Sequence, residues 1–228
     1  MASLRLGMAN GRSRTIDVHW VFNAGYAGRD SPQVQQHVDE LAALGVPAPA
    51  HVPSLYPLSN LLARQDRVVQ VPHGRTSGEA EWALVVGDST DDLLVTAACD
   101  HTDRDLEVHG VAWSKQSAPD LIGDLAWRWS DIADDFDSFT LRAWVTHHGS
   151  QELISDGSPA ELLSPSYWID RLEKAGLLRP GTVLLSGTIA MIEGVDQFAE
   201  AWRVQLAAPD GHTSQVAYRV EQLNDPWE

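Results

Sequence analysis

The chain has 228 residues, enough to bury a sizeable hydrophobic core as one domain or as two small ones. Its composition, 43% hydrophobic and 21% charged, is ordinary for a globular protein and excludes an intrinsically disordered chain. Sixteen basic against thirty-two acidic residues give a formal net charge of -16, which disfavours binding to nucleic-acid phosphates or anionic membrane surfaces.

The first half of the chain predicts several strands around one helix. Residues 1–16 predict a loosely ordered segment or a first strand, and residues 15–22 alternate as a strand does. A helix over residues 31–45 begins at a cap-like Ser31 and ends at Gly45. Four prolines in residues 46–60 indicate an extended connection. The next three predicted strands cover residues 67–73, 79–87 and 93–100.

The second half is also rich in strands. Residues 104–116 fit a helix or a loop, and residues 117–136 predict a loop with helical pieces. A strand that runs into a turn follows over residues 138–149, and then a helical segment over residues 158–176 that Pro165 must break or restart. The remaining predicted strands lie within residues 179–188, 199–211 and 213–223. Because the chain shows neither a repeat nor a linker, we predict one β-rich α+β domain over residues 1–228.

The chain carries no signal for export or membrane insertion. Cys99 is the only cysteine, so no disulfide can form within the chain. The basic N-terminal segment lacks the apolar core of a secretory signal, and no apolar run is long enough to span a bilayer. We therefore expect a soluble cytoplasmic protein.

Three carboxylates form the strongest candidate site. Glu79 and Glu81 are two apart in a predicted strand, which puts both carboxylates on one face. Asp100 ends the next apolar strand, and strand ends meet open clefts. Such hard oxygen donors suit Mg²⁺ or Mn²⁺. The alternative is a solvated edge strand that carries two surface glutamates.

Four ordered segments resemble motifs of the fumarylacetoacetate hydrolase superfamily. SGEAEWALVVG at 77–87 is similar to its Glu-x-Glu strand, and DHTDRD at 100–105 to the segment with its third metal carboxylate. WSKQ at 113–116 resembles its lysine segment, and RPGTVLLSGT at 179–188 resembles its closing Thr-Gly-Thr region. NAGYAGRD at 23–30 is more loosely similar to its Asn-Tyr loop.

This resemblance implies a mixed β-roll fold of the superfamily's C-terminal domain type, a homodimer and a small-molecule substrate. It also implies that Mg²⁺ or Mn²⁺ binds to Glu79, Glu81 and Asp100. Lys115 and Arg104 would lie near the cation, where Lys115 would neutralise charge developing on an enolate or a bound carboxylate. A structural ion pair with the flanking aspartates is the alternative for Arg104. The implied substrate contacts are Thr188, Gly187, Tyr26 and Arg29.

The implied chemistry is cation-assisted enolate formation on a small 2-oxo acid or 1,3-dicarbonyl compound, followed by cleavage of a C–C bond. Hydrolysis also needs a base, and the loop that carries a histidine in hydrolytic members reads Arg29 and Asp30 here. His101 is one candidate base, and a displaced His37–Glu40 pair is another. A metal-dependent hydrolase or lyase is therefore the leading interpretation. An isomerase, tautomerase or decarboxylase is the alternative, and a non-catalytic binding protein of the same fold is the second.

Overall fold

Fourteen strands and five α-helices lie in the described residues, 2–8, 11–43, 48–224 and 227 of a computed structural model. The strands are β1 (Ala2–Met8), β2 (Ser13–Val18), β3 (Trp20–Gly25), β4 (Ser54–Leu58), β5 (Ala63–Arg64), β6 (Val68–Val71), β7 (Thr76–Val86), β8 (Leu93–Asp103), β9 (Asp120–Arg128), β10 (Thr140–His147), β11 (Ser150–Gly157), β12 (Thr182–Leu185), β13 (Ala201–Ala207) and β14 (Thr213–Gln222). The helices are α1 (Ser31–Ala43), α2 (Arg104–Glu107), α3 (Val111–Gln116), α4 (Trp129–Ile132) and α5 (Pro165–Lys174). Two 3₁₀ turns cover Phe136–Ser138 and Pro159–Glu161.

The strands form two sheets that mix parallel and antiparallel pairs. The larger sheet has the order β2-β1-β9-β8-β7-β12-β3-β4, with β5 pairing beside β9. The smaller sheet has the order β11-β10-β13-β14-β6. The larger sheet is strongly curled. The Asn23 side chain on β3 shows this, since it reaches Asp100 on β8 and Asp120 on β9. Strands distant in the hydrogen-bonded order thus face one another across its concave side.

The central strands of the larger sheet contribute alternate residues to two separate cores. Ala83 and Val85 of β7 belong to an apolar cluster made only by strands of this sheet, inside the curl. Trp82 and Leu84 point the other way, into a second cluster shared with the smaller sheet. Because side chains alternate along a strand, Glu79 and Glu81 share the inner face with Ala83. The carboxylates of Glu79 and Glu81 therefore lie at one end of the inner face of the curled sheet.

Most predicted elements are confirmed, but four differ from the expectation. Residues 15–22 form the end of β2 and the first half of β3, because the chain changes its partner from β1 to β12 at His19. Residues 46–60 include β4, which pairs with β3. Residues 117–136, predicted as a loop with helical pieces, contain the short helix α4 but also β9, a central strand that is held between β8 and β1. The fourth difference concerns the end of β8.

Strand β8 continues past Asp100 to Asp103, so Asp100 does not end a strand as expected. The extra residues pair with the start of β7, where His101 lies opposite Gly78. The segment 1–16 contains β1 and the start of β2. Gly45 lies outside the described residues. Pro165 restarts the helical segment as predicted, at the first turn of α5 behind the cap Ser164.

None of the described helices is both long enough and apolar enough to cross a lipid bilayer.

Candidate metal centre

Three carboxylates meet at one end of the inner face of the larger sheet. Glu79 and Glu81 lie on β7, and Asp100 lies directly opposite Glu79 on the antiparallel strand β8. Each offers one oxygen, and these oxygens all lie within 4.8 Å of one another. The residues are 7%, 0% and 0% exposed, respectively. The structure therefore brings the predicted cluster together, and burial excludes the solvated edge strand.

The oxygens of this cluster fit a divalent cation. Glu81 Oε1 and Asp100 Oδ1 are buried and have no hydrogen-bond partner among the described residues. A buried carboxylate oxygen without a partner costs several kcal/mol unless a cation or a proton compensates it. Oxygen donors of this kind are the ligands of Mg²⁺ and Mn²⁺. The three residues could therefore hold such an ion.

Lys115 on α3 reaches the cluster from the side. Its Nζ donates to Glu79 Oε2 at 3.1 Å and to Asp100 Oδ2. The side chain is almost fully buried, and burial alone would lower the pKa of its ammonium group. The neighbouring carboxylates outweigh that effect, led by Asp100 and Glu79, and raise the pKa of Lys115 well above its usual value. Lys115 is thus a fixed positive charge beside the carboxylates.

Arg104 at the start of α2 also binds the cluster. Its Nη1 lies 2.9 Å from Glu79 Oε1 and 3.0 Å from Glu107 Oε2, and its Nε donates to Ser77. The flanking Asp103 instead caps α2 by accepting from two backbone N–H groups. Arg104 therefore pairs with a candidate ligand, as the resemblance implies.

The three carboxylates differ in the direction in which their pKa values are shifted. Burial raises the pKa of Glu79, but Lys115 and Arg104 outweigh it and lower that pKa to about 2. Burial raises the pKa of Glu81 well above its ordinary value. Lys115 opposes this effect, and the neighbouring carboxylates reinforce it. Burial also raises the pKa of Asp100, opposed by Lys115. Together these shifts indicate a site short of positive charge.

The segment after β12 closes the cluster from the opposite side. Gly187 N–H donates to Glu81 Oε2 at 2.9 Å, and Thr188 Oγ1 lies 3.1 Å from the carbonyl oxygen of Ala80. Gly187 has a φ of 81°, and a Cβ there would lie 3.1 Å from the carbonyl oxygen of Ala24. Any other residue would therefore strain the backbone here and crowd the carbonyl oxygen of Ala24.

A cavity of about 550 Å³ opens over Glu79, Arg104 and Lys115. Tyr26, Gly187 and Thr188, which the resemblance implied as substrate contacts, line it together with apolar side chains. Those apolar side chains include Val34, Val111, Ile189 and Met191. Burial raises the pKa of Tyr26 to about 12, so its hydroxyl stays protonated near neutral pH. The cavity is large enough for a small organic acid.

Two predicted site residues lie away from the cluster. His101 follows Asp100 on β8 and points to the opposite face, where Tyr218 OH lies 2.8 Å from Nδ1 and Thr76 Oγ1 lies 3.0 Å from Nε2. Arg29 forms a two-pronged pair with Asp137 at 2.7 and 2.9 Å and donates to Leu162 O. Neither contacts the carboxylates. The side chains of His37 and Glu40 lie outside the described part of the structure.

Three polar residues near the cluster were not predicted. Asn23 on β3 and Asp120 on β9 are both fully buried beside Asp100, and Glu107 lines the cavity. Burial, reinforced by Asp100, raises the pKa of Asp120 well above its usual value. Asn23 is two residues after Val21 in β3, so its side chain lies on the same inner face of the sheet, and this spacing could have indicated an inward side chain. Asp120 was missed because its segment was predicted as a loop with helical pieces and not as a strand.

Comparison with protein families gives one match, to the family described as "Protein of unknown function (DUF2848)", over residues 24–218. This covers most of the chain, which therefore belongs to that family. Among curated protein sequences, none matches the chain.

Several solved structures have the same fold. A 2-keto-3-deoxy-D-arabinonate dehydratase complexed with magnesium and 2,5-dioxopentanoate superposes with a TM-score of 0.63 at 17% identity, over 93% of this chain and 77% of that one. For 5-carboxymethyl-2-hydroxymuconate delta-isomerase from Mycobacterium smegmatis the TM-score is 0.61 at 17% identity, over 99% and 100%. Maleylpyruvate hydrolase from Sphingobium sp. SYK-6 gives 0.58 at 14%, over 93% and 75%. The chain thus has the fumarylacetoacetate hydrolase type of fold, which confirms the predicted β-rich α+β roll.

Proposed function

We propose that this member of the DUF2848 family is a divalent-metal-dependent enzyme that cleaves a C–C bond in a small 2-oxo acid or 1,3-dicarbonyl compound. One observation carries the proposal: Glu79, Glu81 and Asp100 converge beside a cavity while two of their buried oxygens lack a partner among the described residues. Structural neighbours are enzymes, and one of them was solved with magnesium and a dioxo acid.

The side chains around the cluster suit enolate chemistry. When bound, Mg²⁺ or Mn²⁺ would polarise a substrate carbonyl and stabilise negative charge on its oxygen. Lys115 would neutralise the charge that develops on the substrate as the bond breaks. Arg104 would hold Glu79 in place and present its remaining guanidinium edge to the cavity. Thr188 and Tyr26 line the cavity where a substrate carboxylate or carbonyl would lie.

Hydrolysis needs a base that activates water, and Glu107 is the best-placed group. It is the one carboxylate outside the metal cluster among the described cavity-lining residues. Its Oε2 is 3.0 Å from Arg104 Nη1, which in turn is 2.9 Å from Glu79. A water between Glu107 and the carboxylate cluster would lie beside the bound substrate. This placement supports hydrolysis over the other reactions of the same site.

An isomerase, a tautomerase or a decarboxylase remains the second candidate. The specific observation in its favour is that neither His101 nor Arg29 contacts the cluster, so the structure lacks a histidine base there among the described residues. A non-catalytic binding protein is less favoured, because the carboxylates, Lys115 and Arg104 are all assembled.

A cytoplasmic homodimer without a nucleic-acid or membrane partner is also part of the proposal. The formal charge of -16 supports the exclusion of anionic partners. Exposed apolar side chains support a contact between subunits, including Trp113 on α3 and Val108 directly after α2.

The metal site is tested by thermal unfolding with and without millimolar Mg²⁺ or Mn²⁺. The parent protein should gain about 2.7 kcal/mol in free energy of unfolding when the free metal is about 100 times its dissociation constant. Glu81→Gln should lose most of this gain, because it keeps the shape and an acceptor for Gly187 but removes the charge. Glu173→Gln, at an exposed position of α5, is the matched control. An unchanged melting temperature in the parent would contradict the site.

The reaction is tested by incubating the metal-loaded protein with acylpyruvates and oxaloacetate and analysing the products. Release of pyruvate together with a carboxylic acid is the expected result for C–C hydrolysis. Loss of carbon dioxide, or tautomerisation alone, would favour the second candidate. If metal binds but none of these compounds reacts, the proposed substrate class is wrong.

A further inference from the structure

A second polar group lies directly behind the candidate ligand Asp100. Asn23 Nδ2 donates to Asp100 Oδ2 at 3.0 Å and to Asp120 Oδ1 at 3.4 Å. All three side chains are 0% exposed. They come from β3, β8 and β9, and Asp120 is the cross-strand neighbour of Asp100. The amide therefore bridges two carboxylates at the closure of the curled sheet.

Electrostatics fixes the orientation of this amide. With Nδ2 towards the two carboxyl groups, its N–H groups face acceptor oxygens, whereas a flipped amide would set its own oxygen against both. A buried donor shared by two acceptors has little freedom to rotate, because no water competes for it. Asp120 thus holds Asn23, and Asn23 holds Asp100.

This arrangement leaves the two oxygens of Asp100 in different states. Oδ2 accepts from Asn23 and from Lys115, whereas Oδ1 has no partner among the described residues. Oδ1 of Asp100 is therefore available to bind a cation, whereas Oδ2 is held by its two hydrogen bonds. Groups that tie a ligand in this way raise metal affinity by removing its rotational freedom.

We propose that Asn23, held by Asp120, is a positioning residue that orients Asp100 to bind a divalent cation through Oδ1 alone. This inference rests on the proposed metal site and adds two residues to it that touch neither substrate nor cation. It also implies a preference among cations, since Mg²⁺ requires near-ideal octahedral geometry while Ca²⁺ tolerates irregular and two-oxygen binding.

The test is the affinity of the metal-free full-length chain for Mn²⁺, Mg²⁺ and Ca²⁺, measured by calorimetry for the parent and for Asn23→Leu. The variant should bind Mn²⁺ and Mg²⁺ about 10- to 100-fold more weakly. Its affinity for Ca²⁺ should fall less, so the preference for Mg²⁺ over Ca²⁺ should shrink. A merely structural role would weaken all three ions alike. Asp120→Asn, which keeps an acceptor for the amide, should stay near the parent.

Asn60→Leu is the matched control, because that amide donates to the carbonyl oxygen of Val18 at 3.1 Å, away from the cluster. It should leave all affinities unchanged. If Asn23→Leu fails to fold by circular dichroism, the smaller Asn23→Ser takes its place with the same expected loss. Binding of Mn²⁺ by either folded variant within twofold of the parent overturns the proposal.

Failure of the proposed function would look different in the same measurements. If the parent binds no divalent cation, the metal site is wrong and the positioning role is overturned with it. If the parent binds metal but turns over no oxo acid, the substrate class fails, while the affinities still decide the role of Asn23.

Discussion

Asp100 and His101 are adjacent in sequence but serve opposite sides of the larger sheet. Strand alternation turns Asp100 into the curl, with the carboxylates, and His101 outward to Thr76 and Tyr218. A histidine beside a metal ligand in sequence therefore need not lie beside the metal in space. Its hydrogen bonds indicate that His101 supports the packing of β8 against β14.

The buried ring of His101 should make folding depend on pH. Burial, aided by Arg104, lowers its pKa from 6.5 to about 4, so between these values the unfolded chain binds a proton that the folded chain does not. The free energy of unfolding should therefore fall as pH decreases from 7 to 5, by on the order of 2 kcal/mol from this residue. Urea unfolding of the metal-free parent and of His101→Gln at both pH values measures it. An equal pH dependence in the two proteins would contradict the assignment.

A substitution of Glu107 should distinguish the activation of water from the other steps of the reaction. Glu107→Gln keeps the contact with Arg104 but removes the base, so C–C hydrolysis should fall about 10²- to 10⁴-fold. Metal affinity and proton exchange at the substrate carbon next to the carbonyl should persist. Initial rates and deuterium exchange test this, with exposed Glu173→Gln as control. A hydrolysis rate within a few-fold of the parent would rule Glu107 out as the base.

At the scale of elements, the site depends on the segment that leaves β12. Strand β12 lies between β7 and β3, so the chain that follows it passes directly over Glu81. The left-handed conformation of Gly187 turns the chain there and aims its N–H at Oε2 of that glutamate. The resemblance implied a substrate contact for this glycine. In the structure Gly187 lines the cavity, and its N–H also holds a candidate ligand.

Gly187→Ala should weaken both the fold and the metal site. A Cβ at a φ of 81° costs about 1–2 kcal/mol, and here it would also crowd the carbonyl oxygen of Ala24 at 3.1 Å. Gly211→Ala is the matched control, since its φ is 92° but nothing lies within 4 Å of the added carbon. Both should lose stability in urea, and only Gly187→Ala should bind Mn²⁺ several-fold more weakly. Equal Mn²⁺ affinities would contradict the anchoring role of this glycine.

At the scale of the whole molecule, the N-terminal hairpin completes the curled sheet. Strand β1 pairs with β9 and with β2, and its side chains Leu4 and Leu6 are 0% exposed inside the curl. The matched family segment begins only at residue 24, after this hairpin. The inner core that supports the carboxylates is therefore built partly by residues outside the family match.

Leu6→Ala should destabilise the whole domain. Removal of a fully buried leucine side chain costs about 2–5 kcal/mol, because the cavity left behind cannot collapse completely. The exposed Ser3→Ala on the same strand should change stability by no more than about 0.5 kcal/mol. Urea unfolding of both variants provides the comparison. A loss below 1 kcal/mol for Leu6→Ala would show that the hairpin does not close the core.

Strand alternation in the sequence by itself placed Glu79 and Glu81 on one face of a β-rich domain. The resemblance of the ordered motifs implied that Asp100 joins them and that the fold is a β-roll. The shared face is a local property, since a period of two fixes the face of each side chain. Only the tertiary structure decided that Asp120 lies in a central strand, because its segment owes that conformation to pairing with β8 and β1. Likewise, the curl of the sheet brings Asn23 across to the site. Such contacts join distant segments, and no local pattern encodes them.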